Sequence, residues 1–301
     1  MVDTLPSRPT AIVVGIATSG RREVLRDTLI QLDRQALRPQ RILICPSADD
    51  DVDWDHAASL TIAAERIKGP RGLTAQRNAI LEAAGDADLI VFLDDDYLPA
   101  DRFILEAERL FGQNPDVVAA TGHVLADSVH GPGIGLHEAL AVLAGDQPPQ
   151  DGDIWPVENT YGCNMIFRMA AIRRTGARFD ENLPLYGWQE DVDFCSLLAA
   201  EGRIVHATVL RGVHRAVKSG RTSGVRFGYS QIANTVYLAR KGTMRRARAL
   251  RLSAAPFVAN IVCSLLPRGL IDRRGRLKGN LLALWDLARG RIDPRRILSL
   301  D

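Results

Sequence analysis

The segment IVFLDDDYLP, Ile90 to Pro99, delivers three aspartates straight off the end of an apolar run. Adjacent carboxylates repel one another and raise one another's pKa, so such a cluster at the end of a buried strand needs a counter-charge. A hard divalent cation supplies one. Mg2+ or Mn2+ takes oxygen ligands and typically uses one or two carboxylates together with substrate phosphates. Asp94 and Asp96 are the expected working pair, with Asp95 on the other side of the strand, although three consecutive aspartates permit more than one register.

A second acidic group lies in YGWQEDVDF, where Glu190 and Asp191 fall in the first turn of an expected helix. The helix dipole favours the ionised form there, and an aspartate kept ionised and aimed into a cleft serves as a general base. Glu190, Asp191 and Asp193 are equally good residues for opening a helix. Gly187 and Trp188 precede them; an indole ring stacks on the apolar face of a sugar or anchors a loop by packing. His214 closes the following strand, a position suited to a metal or phosphate contact, whereas His206, mid-strand between apolar residues, reads as a core side chain. Arg77 and Asn78 in GPRGLTAQRN either line a nucleotide pocket or form a solvated first turn. The glycine spacing in VGIATSGR does not match GxGxxG, which argues against dinucleotide binding.

Alternating elements must bring these groups together. Short β-branched runs at AIVVGIAT, RILICPS, DLIVFLDDD and DVVAATGHVLA read as strands, with SLTIAAE a weaker one. Helical patterns separate them: REVLRDTLIQLDRQ, then AQRNAILEAAG with Thr74 as its expected cap, then DRFILEAERLF. This alternation predicts a parallel-rich, doubly wound α/β sheet. In such sheets ligands sit beyond the carboxyl ends of the strands, where Thr18–Arg21, Asp49–Asp51 and Asp94–Asp96 all fall. From Asp127 to Asn159 glycine, proline and aspartate break the pattern, predicting an irregular insertion with at most a short helix. Regularity returns with YGCNMIFR, MAAIRRTG, a helix near QEDVDFCSLLAAEG and the strand RIVHATVLRGVH, then a flexible KSGRTSG.

In this order the pieces resemble a family 2 inverting glycosyltransferase with the GT-A fold, a Rossmann-like mixed sheet flanked by helices. GIATSGRREVLRDTLIQLDRQ is similar to the opening Thr-x-x-Arg passage of that family, GLTAQRNAIL to its Ala-Arg-Asn helix, and VFLDDDYLP to the strand carrying its DXD motif. YGCNMIFRMAAIRRTGARFDENLPLYGWQEDVDFCSLLAAEG follows its Gly-x-Asn-Met, Arg, Phe-Asp-Glu, Glu-Asp and final Gly. The likeness spans residues 10 to 215. It departs at SADDD, where the family often has a single Asp followed by Gly-Ser.

The resemblance implies a sugar transferred with inversion from a UDP- or dTDP-sugar to a glycan or lipid-linked saccharide, in polysaccharide or cell-envelope glycan synthesis. Thr18, Arg21 and an aspartate of the 49–51 cluster, first Asp49, would hold the base and ribose, flanked by Arg77 and Asn78. Asp94 and Asp95 would face the donor diphosphate; Asp96, with Asp94 and His214, would hold Mg2+ or Mn2+. Asp191, assisted by Glu190, would act as base, and Trp188 and Gly187 would meet the acceptor. A nucleotidyltransferase also uses paired carboxylates and a metal, but it needs a basic glycine-rich phosphate loop that GIATSGRR supplies only in part. A GT-A-fold binding or scaffold protein without turnover is the non-catalytic alternative, and the intact acidic clusters speak against it.

The charge is unevenly distributed. The 301 residues carry a net +2, with 46% hydrophobic and 25% charged residues, ordinary for a globular chain. From Arg240 to Asp301, however, there are 15 Lys/Arg and 4 Asp/Glu, which leaves a net −9 for the rest. The organisation expected is a transferase domain over 1–223, its nucleotide-binding half about 10–126 and its acceptor-binding half about 127–223, followed by a basic helical region over 224–301. That region is expected to face an anionic membrane surface or to pack as a helical subdomain. Its basic clusters lack interleaved aromatics and match no nucleic-acid-binding motif, so nucleic acid is not an expected partner. Cys45, Cys163, Cys195 and Cys263 form no CxxC pair, MVDTLPSRPT lacks a signal-peptide core, and AAPFVANIVCSLL is too short to span a bilayer. These features predict a reduced, cytoplasmic protein, peripheral on the inner face of the cell membrane.

Overall fold

A computed structural model describes residues 10–129, 131–149, 152–218, 223–265 and 271–300. Among them nine strands form one sheet: β1 (Ile12–Thr18), β2 (Arg41–Pro46), β3 (Ala63–Arg66), β4 (Leu89–Leu93), β5 (Tyr97–Pro99), β6 (Val117–Asp127), β7 (Ile154–Pro156), β8 (Asn164–Arg168) and β9 (Arg203–His214). Their order is β3-β2-β1-β4-β8-β6-β9-β5, with β7 also paired to β9. The first four in that order are parallel. Residues 89–93 and 42–45 are buried throughout, as expected of strands covered on both faces. β8 then inserts antiparallel between β4 and β6, so the sheet is mixed rather than uniformly doubly wound.

Helices cover both faces. Leu25, Leu29 and Leu32 of α1 (Arg22–Asp33) join Phe103, Ile104 and Ala107 of α4 (Phe103–Gln113) in one core. On the opposite face, Ile80 and Leu81 of α3 (Leu73–Ala83), Ile172 of α6 (Met169–Thr175), and Phe194 and Leu198 of α7 (Glu190–Leu198) join Phe92 and Phe167 in a second core. A short α2 (Trp54–Ser59) lies between β2 and β3.

Three local expectations change. Thr74 does not cap α3: the helix starts at Leu73 after Gly72, whose φ of +128° suits glycine. The Thr74 hydroxyl instead donates to Leu183 O at 3.1 Å, tying the helix to the loop ahead of α7. The insertion is more regular than expected, containing α5 (Leu136–Gly145), whose Ala139 packs with Leu98 and Val213, as well as β7. SLTIAAE contributes strand only over Ala63–Arg66.

The basic region forms α8 (Gly224–Lys241), α9 (Arg246–Ser264), which runs through Pro256, and α10 (Arg273–Ala288), followed by a 3-10 segment Pro294–Ser299. Residues 219–222 of KSGRTSG lie outside the described residues. α8 and α10 meet at Gly228 and Gly279, where a Cβ on either would run into backbone atoms of the other helix. Asn260 and Asn280 share Gln231 Oε1 in a buried polar knot linking the three helices. The bundle is fastened to the sheet domain: Lys241 Nζ reaches Asp180 and Asp193, both at 2.7 Å, and Asn234 Nδ2 donates to Trp188 O at 2.8 Å.

Candidate active site

The parallel neighbours β1 and β4 end together, and their carboxyl ends face each other across the triplet. Thr18 Oγ1 donates to Asp95 Oδ2 at 2.7 Å, and Arg21 Nη1 reaches Asp95 Oδ1 at 2.8 Å and Asp96 Oδ2 at 3.1 Å. Thr28 Oγ1 holds the Asp95 carbonyl at 2.7 Å. Asp95 is therefore tied to β1 and α1, and it shares the Arg21 guanidinium with Asp96 rather than pointing away from it. Burial raises its pKa to about 7 against the opposing pull of Arg21.

Asp94 and Asp96 have a different partner. β5 pairs antiparallel with the end of β9, setting Tyr97 directly opposite His214. Gly212 makes this approach possible, because a Cβ there would strike the Tyr97 ring. The pairing carries the His214 imidazole to the triplet, and one ligand atom each from Asp94, Asp96 and His214 lies within 4.8 Å of the others. Asp96 Oδ2 accepts from Val217 N at 2.9 Å, but among the described residues the buried Oδ1 accepts no hydrogen bond, and it lies 3.4 Å from His214 Nε2. His214 Nδ1 is 3.1 Å from Asp127 Oδ1, which orients the ring. Burial alone would discharge the imidazole, yet the Asp127 and Asp96 carboxylates outweigh it and raise its pKa to about 10. Two carboxylates and an imidazole that Asp127 orients, and whose Nε2 proton a bound cation would displace, are a donor set that fits Mn2+ or Mg2+.

Arg77 is the largest fully buried side chain. Its Nη2 reaches Asp94 Oδ1 at 3.1 Å and Gly162 O at 2.9 Å, and its Nη1 pairs with Glu190 at the start of α7. The guanidinium lies 5.8 Å from the Phe92 ring centroid and 5.5 Å from that of Phe179. Burial lifts the Glu190 pKa to about 7, with Arg77 opposing. The adjoining Asp191 is half-buried; its Oδ1 accepts from Val192 N at 2.9 Å and its Oδ2 from Asn159 Nδ2 at 3.2 Å. Asn159 is held in turn by Arg248 of α9 at 2.7 Å. Burial pushes the Asp191 pKa up, against the Val192 amide, Arg77 and Arg248.

Backbone strain is concentrated around these groups. The non-glycine residues with positive φ among those described are Leu185 (58°), Gln189 (74°) and Ala216 (52°). Two of them lead into α7 and the third follows His214 by two residues, the placement expected where structure is held for function.

The remaining candidates divide. Asp49 is a surface residue, its side chain 77% exposed and paired with Arg66. Asp51 is the buried member of that cluster, joining the loops after β1 and β2 by accepting from Gly20 N at 2.6 Å and Ala48 N at 2.9 Å. Asn78 uses its amide to build the turn at 179–181, bonding Phe179 O at 2.9 Å, Phe179 N at 2.9 Å and Glu181 at 2.8 Å. Trp188 is half-buried, edge-on to Phe227 of α8 at 6.0 Å, and Gly187, with φ of +62°, packs beside Thr74. His206 is not a satisfied core residue. It is half-buried, stacks at 4.2 Å on the exposed Trp155, and its Nδ1 has no partner among the described residues. Within the 49–51 cluster the buried member is Asp51 rather than Asp49, and the sequence reading misses Asp127 and Asn159 because both lie within a segment read as irregular.

No protein-family model matches the sequence, and no curated protein matches it. Solved structures do resemble it. The mannosyltransferase PcManGT from Pyrobaculum calidifontis, solved with GDP-Man and Mn2+, is 17% identical with a TM-score of 0.57, over 98% of this chain and 86% of that one. S. aureus TarS 1-349 in complex with UDP-GlcNAc is 15% identical with a TM-score of 0.54, over 97% and 84% of the two chains. TarS 1-349 solved without that ligand in its description gives 14% and 0.52, over 97% and 83%. At this identity the likeness establishes the fold: a mixed α/β sheet flanked by helices, as the sequence predicts.

Proposed function

We propose that the chain is a metal-dependent inverting glycosyltransferase of the family 2, GT-A type, moving a sugar from a nucleoside diphosphate sugar to a saccharide or lipid-linked acceptor in glycan synthesis. The observation that carries the reading is the convergence of Asp94, Asp96 and His214, with one buried Asp96 oxygen facing the imidazole and accepting no hydrogen bond among the described residues. A divalent cation held there would neutralise charge developing on a departing diphosphate. The neighbours solved with GDP-Man and Mn2+ and with UDP-GlcNAc share the fold, which makes a nucleotide sugar the natural donor to test.

The chain's own residues divide the remaining work. Thr18 and Arg21 fix the triplet through Asp95, and Asp51 shapes the loops after β1 and β2 as the wall of a nucleotide pocket. Asp191 takes the proton from the acceptor hydroxyl as that oxygen bonds to the anomeric carbon and the bond to the diphosphate breaks on the opposite face. Glu190 is tied up by Arg77 and positions the start of α7 rather than moving a proton. Gly187 and Trp188, just ahead of that helix, border the acceptor side.

The experiment is a panel of UDP-, dTDP- and GDP-sugars with Mn2+ or Mg2+, read by thermal shift and by release of nucleoside diphosphate. One donor should stabilise the protein and be slowly hydrolysed, and Asp96→Ala should abolish both. Absence of stabilisation by every donor in the presence of metal sinks the proposal.

A further inference from the structure

The outward face of α9 and α10 is apolar. On α9 and its C-cap, Val258, Ile261, Val262 and Leu265 recur at spacings of three and four and are all exposed, Leu265 by 83%. On α10, Leu281, Leu284 and Trp285 repeat the pattern, Trp285 being 56% exposed. Leu265 and Leu281 from the two stripes share a groove of about 590 Å3 with Leu277, Leu282, Arg274 and Lys278. Seven exposed large apolar side chains on adjoining helices, two of them in one groove with cations, mark an interaction site rather than scattered surface leucines.

Its charge selects the occupant. α9 contains no acidic residue, and the single one on α10, Asp286, is buried against Tyr229 and Arg296. Exposed Arg251, Arg274, Lys278 and Arg289 border the stripes, and the Arg289 guanidinium sits 3.9 Å from the Trp285 ring centroid. A second copy docked on this face would bring two basic rims together. Nucleic acid would leave the leucines and valines uncovered. An anionic bilayer takes both features: apolar side chains enter the headgroup–acyl boundary, Trp settles at the interface, and the cations reach lipid phosphates. Among the described residues no helix is long and apolar enough to cross a membrane, so such a face would lie on the bilayer rather than span it.

We propose that α9 and α10 form a docking face that lies in the interface of an anionic membrane. This gives the expected membrane contact its residues, and it stands apart from the chemistry assigned to the site.

Sedimentation of the full chain with vesicles tests it without reference to turnover. At physiological salt the protein should pellet with phosphatidylcholine vesicles containing phosphatidylglycerol and not with pure phosphatidylcholine. Each cation near an anionic surface strengthens binding about fivefold, so Arg274→Glu with Lys278→Glu should weaken it by more than about twentyfold. Val262→Ser with Leu265→Ser should weaken it by at least about tenfold through lost apolar burial. Both exposed pairs should melt at the parent temperature. Failure of the parent protein to pellet with anionic vesicles overturns the proposal. So does a dimer on size exclusion that the same substitutions dissociate while vesicle binding is unchanged, because the occupant is then a second copy.

Discussion

Arg77 bridges Asp94 and Glu190: one guanidinium nitrogen lies 3.1 Å from Asp94 Oδ1 and the other pairs with the carboxylate of Glu190. The bridge joins the end of β4 to the start of α7, and so links the candidate metal cluster to the candidate base. The Arg is buried among Phe92, Phe179 and backbone carbonyls, where a charge without a partner is expensive.

Removing it should therefore cost more than a contact. Arg77→Ala leaves two carboxylates without their cation and should destabilise the fold by about 3–5 kcal/mol, read as a fall in denaturation midpoint. Adding Glu190→Gln to Arg77→Ala should recover part of that loss, because one uncompensated charge disappears. No recovery in the double variant would mean that packing of the guanidinium, not charge, makes Arg77 important.

The metal cluster makes a separable prediction. His214 is oriented by Asp127, so Asp127→Asn should weaken Mn2+ binding about 10–100-fold while leaving Asp94 and Asp96 in place. Isothermal titration of Mn2+ in the presence of nucleoside diphosphate measures this. An affinity equal to that of the parent chain would show that the charge of Asp127 does not govern the site.

How the site assembles explains what could be read in advance. Asp94, Asp96 and Glu190–Asp191 stand out because charge sits where an apolar pattern ends, and the alternating elements predict the α/β class, whereas the antiparallel insertion of β8 that makes the sheet mixed is not encoded in that alternation. Arg77 reads from sequence as a pocket-lining or solvated residue and not as a buried ion bridge, since its partners Glu190 and Gly162 lie far along the chain. Asn78 follows Arg77 in sequence, yet its amide is fixed by the turn at 179–181, a long-range pairing that periodicity does not encode. The same holds for Asp127, which meets His214 only because β6 and β9 run side by side with bulges that adjust their register. In the Asp49–Asp51 triplet, burial of Asp51 depends on the loop carrying Gly20, again a tertiary fact.

The acid–base assignment predicts a pH profile with a defined sign. Asp191 works as a base only when ionised, and burial holds its pKa above the ordinary carboxylate value. Transfer should fall as pH is lowered through that raised pKa, so the acidic limb should lie above pH ~4, the range of a free aspartate. Asp191→Asn should keep donor-induced thermal stabilisation and lose transfer by about 10²–10⁴-fold. A variant that transfers at the parent rate with the same acidic limb would exclude Asp191 as the base.

The helical region holds the loop ahead of α7, and α7 itself, through Asn234 and Lys241, and its tightest contact offers the means to test that hold. Gly228 and Gly279 let α8 and α10 pack backbone against backbone, and a methyl group at Gly279 would collide with Val225 O. Neither helix can give way locally, because Asn280 is bonded to Gly228 O at 2.7 Å within the polar knot. Gly279→Ala should therefore force the helices apart, at a cost of about 1–3 kcal/mol despite alanine's higher helix propensity. The same separation would pull on Asn234 and Lys241 of α8, which hold the Trp188 carbonyl and Asp193. Hydrogen exchange should then rise at residues 185–193 as well as in α8 and α10. Faster exchange confined to the helices would show that the bundle is an appendage, with the loop ahead of α7 held in place by the sheet domain alone.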